Sequence, residues 1–225
     1  MFGDIVNAAA ILIGGSLGIA LKGRVSERFE TLILQAMALG VLIIGFQGAL
    51  KVTNPLIMLM SLASGALLGE WMRIEDRLTN FSQWIKDTFA IKSDGFVGGF
   101  VSATLLFCVG SMAIVGSLNS GLYNDHSVLV AKGLIDGVIS VLLGSTLGIG
   151  VAFSAIPVLL YQGSIIIGAG FLKPFLTEVL IADISTVGSV LIIAIGINML
   201  GIMKIRVGNL LPAIAMAVVF SLTLN

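Results

Sequence analysis

Long apolar runs separated by short charged or turn-forming clusters dominate the pattern of this chain. A helix that spans a membrane needs about 17 to 25 mostly apolar residues, and cutting the chain at its polar clusters gives eight segments of that kind. They cover residues 3 to 21, 31 to 50, 55 to 72, 95 to 116, 128 to 150, 154 to 172, 179 to 200 and 207 to 224. The pattern predicts an all-α polytopic membrane protein with about eight transmembrane helices, forming one transmembrane domain over residues 1–225.

The boundary between the fifth and sixth segments is the least defined, because residues 137–172 carry no charge and are too long for one span. We place the break at Ser154 to Pro157, since proline disfavours the interior of a helix. The connections between the predicted spans are short, so neighbouring helices are expected to be antiparallel.

Lysine and arginine are distributed unevenly between alternate loops, and cytoplasmic loops carry the excess. Nine lie on one side and two on the other, with Lys132 inside a span. The nine are Lys22, Arg24, Arg28, Arg73, Arg77, Lys86, Lys92, Lys204 and Arg206, and the two are Lys51 and Lys173. We therefore expect a multi-pass protein of the bacterial plasma membrane, or inner membrane, with the N-terminus and the C-terminus outside.

The longest cytoplasmic segment, residues 73–94, has an apolar stripe at helical spacing. The stripe consists of Leu78, Phe81, Ile85 and Phe89, and Trp71 and Trp84 suit the depth of the lipid headgroups. This pattern favours an amphipathic helix on the cytoplasmic membrane surface. An ordinary loop, a helix docked on protein and a partner-binding helix are the alternatives.

Composition agrees with a lipid environment. The chain is 57% hydrophobic and 11% charged, whereas soluble domains are about 25% charged, and its mean hydropathy is +1.11. Its 28 glycines favour closely packed membrane helices. The zero net charge gives no sign of a nucleic-acid partner, and the single cysteine, Cys108, excludes an intramolecular disulfide and a multi-cysteine metal site.

Two parts of the chain resemble each other. Residues 11–17 in the first helix are similar to residues 165–171 in the sixth, and each is followed by a glycine-punctuated helix, residues 38–45 and 188–196. Copies made of helices 1–3 and 6–8 would begin on opposite sides of the membrane, which is the inverted repeat of many secondary transporters. Chance similarity between segments rich in glycine and isoleucine is the alternative.

Charged residues inside a span are costly, so they mark candidate pathways for solutes. Lys132 and Asp136 are four residues apart in the fifth helix, hence on one face. We interpret Asp136 as a group that binds a proton or a cationic solute, with Lys132 as its partner. The plainer interpretation is a pair that only stabilises the helix.

Other polar and small residues extend this candidate pathway for a substrate or ion. They are Gly110, Gly116, Ser117 and Asn119 in or just after the fourth helix, Gln162 in the sixth and Asn198 in the seventh. The glycines could loosen the fourth helix and expose its carbonyl groups, although close helix packing explains them equally. A buried amide is more often an interhelical hydrogen-bond partner than a ligand contact.

The sequence offers no motif for catalysis or for a cofactor. The single histidine, His126, lies in a loop, so neither a zinc HExxH site nor a serine–histidine pair within the membrane can form. No phosphate-binding loop with its lysine is present, which argues against an ATPase. We therefore expect a protein that is not an enzyme and holds no cofactor or metal.

Several stretches spread along this chain resemble one known family. They are residues 107–117, 132–137, 153–163, 196–200 and 209–213, with 5–8 and 14–15 near the start. They look like the uncharacterised bacterial membrane-protein family typified by YqgA and YdfK. In that pattern proline often stands at the position of Ser111 and serine at that of Gly133, so a special role for Ser111 finds no support. The resemblance implies a plasma-membrane protein described as a transporter, without a substrate.

Two functional hypotheses follow. The first is a secondary transporter or channel for a small solute or ion. The second is a membrane scaffold or subunit of a larger complex, in which the polar groups only join helices and residues 73–94 recruit a partner. A midplane pocket lined by Asp136, Gln162 and Asn198 would favour transport. The lipid bilayer is the one partner that the sequence predicts, and a homo-oligomer remains open.

Overall fold

The computed structural model describes residues 1–21, 27–88, 95–108, 111–172, 174 and 177–224, and over these residues it is helical without strands. The α-helices are α1 (Phe2–Leu21), α2 (Glu27–Ala49), α3 (Pro55–Met72), α4 (Ile74–Thr88), α5 (Phe96–Cys108), α6 (Ser111–Tyr123), α7 (Ser127–Leu147), α8 (Gly150–Phe153), α9 (Ala155–Leu172), α10 (Glu178–Met199) and α11 (Pro212–Leu224). A 3-10 helix, Val207–Leu210, precedes α11. The all-α class predicted from the sequence is confirmed for the described residues.

Six helical segments of the described residues are long and apolar enough to cross a membrane. They are α1, α3, α7, α8 with α9, α10, and the 3-10 helix with α11. α5 and α6 would together make a seventh, and the apolar part of α2, Leu34–Ala49, is shorter. Several membrane-type helices are therefore present, while the count of eight stays a prediction.

Two predicted boundaries differ from the structure. The fourth helix, predicted over residues 95–116, consists of α5 and α6, which are inclined by 59° and continue to Tyr123. The break between the fifth and sixth spans lies earlier than Ser154 to Pro157. It falls at Gly148, whose φ of 83° ends α7 in a conformation that side chains disfavour.

α4 follows α3 directly and occupies most of the predicted amphipathic segment. Arg73 ends α3 in the left-handed conformation, with φ 50° and ψ 50°, so the chain turns before α4 starts. Trp71 and Trp84 are largely exposed. Residues 89–94 lie outside the described residues, as do the side chains of Leu78, Phe81 and Ile85, so the position of α4 on the membrane surface stays a prediction.

The chain forms two compact units. Unit 1 comprises Met1–Met37 and Ser82–Phe175, and unit 2 comprises Ala38–Phe81 and Leu176–Asn225. Each copy of the predicted repeat contributes its first helix, α1 or α9, to unit 1. The remaining helices of each copy lie in unit 2, apart from the beginning of α2.

Unit 1 is centred on the close packing of α1 with α7. A Cβ atom added to Gly3 would lie 2.8 Å from Cβ of Leu129, and one added to Gly14 would overlap the carbonyl group of Gly137. Residues further along α1 therefore contact residues further along α7, so the two helices run parallel. Glycine permits this approach because any side chain would collide with the neighbouring backbone.

The other close contacts of α1 are with α9, and these two helices run antiparallel. Gly15 lies against Ala152, at the start of the α8–α9 segment, and Asp4 lies against Gly163 near its middle. α1 thus has α7 on one side and α9 on another, and polar side chains of all three can meet inside unit 1.

Candidate functional site

A buried ion pair on α7 is the centre of the candidate site. Lys132 Nζ contacts Asp136 Oδ2 within one helical face, as the four-residue spacing predicts. Lys132 is 6% exposed and Asp136 is 5% exposed, so both charges have left solvent. Removing one partner of such a pair costs about 3–5 kcal/mol, because the other charge is stranded.

The ammonium group of Lys132 also faces an aromatic ring. Its Nζ lies 5.9 Å from the centre of the Phe107 ring, a distance at which a cation is attracted to the face of a ring. Phe107 is the penultimate residue of α5, next to the point where α5 and α6 change direction. The charge pair therefore lies beside the bend of an apolar helix, and Gly110, a predicted pathway residue at that bend, lies outside the described residues.

Asn7 of α1 connects the ion pair to α9. Its Nδ2 donates a hydrogen bond of 3.1 Å to Oε1 of Gln162, and its side chain also interacts with the carboxylate of Asp136. Asn7 and Gln162 are both fully buried. The absence of a side chain at Gly133 admits Asn7, because a Cβ there would lie 3.1 Å from Cα of Asn7. Three helices thus meet through Asp136, Asn7 and Gln162.

Asp4 lies one turn before Asn7 on α1 and is also fully buried. Neither residue is among the site residues predicted from the sequence. A signal for both was present, since Asp4 and Asn7 are three residues apart in an otherwise apolar stretch and so share one face of the helix.

The predicted residues of α6 have other surroundings. A Cβ added to Gly116 would lie 3.0 Å from the side chains of Val128 and Leu129, so Gly116 serves close packing of α6 on α7. Ser117 is fully buried, and its Oγ has no partner among the described residues. Asn119 is half-buried, and its carbonyl oxygen accepts a hydrogen bond of 3.3 Å from the backbone of Asp125. None of these contacts joins them to the ion pair.

Asn198 belongs to unit 2, where its side chain holds the turn after α10. Its Nδ2 donates to the carbonyl oxygen of Ile205 at 2.8 Å, and its Oδ1 accepts from the Ile205 backbone at 2.7 Å. Of the three groups expected to converge, Asp136 and Gln162 are linked through Asn7 within unit 1. Asn198 uses both ends of its amide for a local structural contact.

The loop between α6 and α7 closes one end of unit 1. His126 Nδ1 and Ser120 Oγ lie 2.8 Å apart, and the Phe2 ring lies 5.8 Å from the His126 ring. Asp125 Oδ1 accepts a hydrogen bond of 2.9 Å from the Ser127 backbone, and hydrogen bonding to Ser127 lowers the pKa of Asp125 from its ordinary value. Among the described residues, no group of three or more histidine, cysteine, aspartate and glutamate side chains could hold a metal ion.

Comparisons with known proteins agree with the resemblance. The chain is 32% identical over 219 residues to the uncharacterized membrane protein YdfK of Bacillus subtilis, covering 95% of this chain and 93% of YdfK. It is 31% identical over 226 residues to the uncharacterized protein YqgA of Escherichia coli, covering 98% and 96% of the two chains. No solved structure matches. A family described as proteins of unknown function, DUF554, matches residues 2–222. With its apolar helices and these relatives, the chain is a membrane protein that belongs to the DUF554 family.

Proposed function

We propose that this protein is a secondary transporter or channel for a small solute or ion across the bacterial plasma membrane. The observation that carries the proposal is the buried Lys132–Asp136 pair, which interacts with Asn7, itself hydrogen-bonded to Gln162 on a third helix. An ionised side chain in a span costs about 2.5–3.5 kcal/mol on insertion scales. Polar groups that only join helices need no charge. A charged pair that lies among interhelical amides in spite of this cost therefore supports a role in binding.

The packing of α2 on α10 in unit 2 supports the inverted repeat. Gly45 and Gly196 each end the glycine-punctuated stretch of their copy, residues 38–45 and 188–196, and Leu42 and Ile193 each lie three residues before that glycine. A Cβ on Gly45 would lie 2.7 Å from Cγ1 of Ile193, and one on Gly196 would lie 2.7 Å from Cγ of Leu42. Each contact is therefore the counterpart of the other, as a two-fold relation requires.

The two other pairs of counterpart helices also pack against each other. In unit 1, α1 and α9 are antiparallel. In unit 2, Gly65 lies against Ala213 and Gly69 against Asn209, so α3 runs antiparallel to the α11 segment. Antiparallel counterparts are expected of copies inserted in opposite directions, the arrangement in which transporters place their binding sites at the interface of the repeats.

The parallel packing of α1 and α7 supports the predicted number of crossings. Two parallel spans must have an odd number of crossings between them. α2, α3 and the α5–α6 pair supply three, whereas a re-entrant α5–α6 pair would leave two and make α7 antiparallel to α1. Eight crossings bring both termini to one side, and the nine-to-two distribution of basic residues puts that side outside.

Topology is tested by reporters fused at residue 1 and after residue 225. We expect both reporters to be active on the outer side of the membrane, because an even number of crossings returns the chain to its starting face. A third fusion, after residue 124 between α6 and α7, should also report the outer side. Termini on opposite faces would contradict the eight-span arrangement.

Transport is tested with purified protein in proteoliposomes. A thermal-shift screen of small solutes and ions first identifies a ligand, and uptake of that ligand is then measured in wild type and in Asp136→Asn. We expect Asp136→Asn to fold and to lose uptake, because the amide keeps the shape of the carboxylate without its charge. Glu70→Gln, which alters an exposed ion pair of unit 2, is the matched control and should keep uptake.

The scaffold hypothesis predicts that the wild-type protein takes up no solute in the same assays. A separate outcome tests the ion pair itself. A Lys132→Met and Asp136→Asn double variant that is stable and takes up the ligand at the wild-type rate would exclude a role for the pair in transport. The side chains of Lys132 and Asp136 would then serve helix packing alone.

A further inference from the structure

Asp4 is a buried carboxylate without a hydrogen-bond donor. It is 0% exposed, and neither Oδ1 nor Oδ2 has a partner among the described residues. The amino group of Met1 acts on it electrostatically but does not bond to it. Asp183 of unit 2 is a useful contrast, because it is 3% exposed and accepts a 3.2 Å hydrogen bond from Thr53. An unpartnered buried carboxylate is strongly disfavoured in its charged form.

The polar atoms around Asp4 contain more acceptors than donors. Asp4 Oδ2 lies 3.2 Å from the position of a Cβ on Gly163, which places the carboxylate beside Gln162 on α9. Asn7 follows one turn along α1. Three oxygens here have no donor, the two of Asp4 and Oδ1 of Asn7, whereas Nε2 of Gln162 is the one nitrogen without an acceptor. The cluster therefore has three unpartnered acceptor atoms against one unpartnered donor atom, and it carries one negative charge.

A single proton on Asp4 would turn one acceptor atom into a donor and would neutralise the charge. Protonated Asp4 has one O–H donor and one acceptor oxygen. Its O–H can donate to Oδ1 of Asn7, and Nε2 of Gln162 can donate to its second oxygen, so that every group in the cluster finds a partner. We propose that Asp4 binds an exchangeable proton, with Asn7 and Gln162 as its hydrogen-bond partners.

The proposed proton site adjoins the ion pair through Asn7, whose side chain also interacts with Asp136. Loss of the proton would pull Nδ2 of Asn7 towards Asp4 and away from its present partners. The bound proton can therefore be coupled to the Lys132–Asp136 site, a consequence that rests on the proposed transport function, whereas proton binding itself does not. The other ionisable groups on or beside the helices packed against α1 are Lys132, Asp136, His126 and Tyr161.

Chemical labelling of wild-type protein provides the first test. Dicyclohexylcarbodiimide is an apolar reagent that modifies carboxyl groups in their protonated form. An apolar pocket of about 370 Å³ lined by Ile5, Ala8 and Leu159 gives it a route from the lipid side to the residue next to Asp4. Full-length protein in detergent micelles is treated over a pH series, and modification of Asp4 and Asp183 is measured by mass spectrometry.

We expect Asp4 to be modified at neutral pH, with modification decreasing as the pH rises, and Asp183 to remain unmodified. Asp4 that is unmodified at every pH, while the detergent-unfolded protein reacts, would overturn the proposal. Protection of Asp4 by sodium chloride, but not by choline chloride at equal ionic strength, would also overturn it and assign the site to Na⁺.

The second test is the pH dependence of thermal stability. Deprotonation strands a buried charge, so the melting temperature of the wild type should fall as the pH rises. Asp4→Asn has the donor and acceptor of the protonated acid and should lose this dependence, whereas the matched variant Asp183→Asn should keep it. An Asp4→Asn variant with the wild-type dependence would contradict the proposal. If the transport proposal alone fails, Asp4 will still be labelled as expected, but the wild-type protein will take up no ligand.

Discussion

The two units contain polar clusters of opposite character. In unit 2, Asn209 Oδ1 accepts a 2.7 Å hydrogen bond from the backbone of Glu75 at the start of α4, and its Nδ2 donates to Glu70 at 2.7 Å. Glu70 also pairs with Arg206 at 2.9 Å, and Glu75 accepts from the backbone of Gly208 at 2.7 Å. In unit 1, the cluster of Asp4, Asn7, Gln162, Lys132 and Asp136 is fully or nearly buried, and four of its polar atoms have no partner.

Under the proposed function, the difference separates a structural from a functional use of polar residues. The unit 2 cluster satisfies backbone N–H groups at the first turns of α4 and the 3-10 helix, groups that the helices cannot pair themselves. It is partly exposed and its named contacts are matched, which is sufficient to join helix ends. The unit 1 cluster bonds no such backbone group, and under the proposals above its unmatched atoms would let its hydrogen bonds rearrange when a proton or solute binds.

The largest expected effect is on the buried ion pair. Lys132→Met and Asp136→Asn should each lower the free energy of unfolding by about 3–5 kcal/mol, because each strands the other polar or charged group. The double variant should recover most of this loss. Unfolding in mixed micelles, followed by circular dichroism, measures all three variants. Additive single effects would show that the two side chains do not interact and would remove the centre of the unit 1 site.

An intermediate effect is expected for the matched cluster. Asn209→Ala removes the acceptor for the Glu75 backbone and a donor to Glu70, and should lower the free energy of unfolding by about 1–3 kcal/mol. Ligand affinity should stay at the wild-type value, as measured by thermal shift against ligand concentration. A variant that is stable but binds the ligand less tightly would show that unit 2 also contributes to binding, and the contrast between the units would fail.

The smallest effect is expected for the exposed pair of unit 2. The side chains of Arg206 and Glu70 are 58% and 54% exposed, so Arg206→Gln should lower the free energy of unfolding by about 0–1 kcal/mol. Salt should abolish the difference from wild type, because exposed charges are screened. The same salt titration applied to Asp136→Asn should leave its larger loss unchanged, since a buried pair is screened less. Equal salt sensitivity of both variants would mean that the ion pair of unit 1 is solvated.

The local sequence pattern predicted much of the helical structure of this protein correctly. Apolar runs of sufficient length identified the membrane-type helices, because a span must be apolar along its whole length. The four-residue spacing identified the Lys132–Asp136 contact, because residues at that spacing always share a helix face. Gln162 was recognised as a buried amide, though its partner was not. The bend between α5 and α6 was anticipated only as a region loosened by glycine.

The tertiary structure decided which polar residues meet. Asn7 and Gln162 are 155 residues apart, and no periodicity in either helix indicates that α1 lies between α7 and α9. Packing through glycines made that choice: it turned Asn7 from an isolated polar residue into a neighbour of the ion pair and placed Asp4 against Gly163, beside Gln162. Asn198 shows the converse, because it has the same chemistry and a similar apolar surrounding in sequence but holds a turn. Sequence determined which groups had to be satisfied within an apolar chain, whereas the packing of distant helices determined which partner each one found.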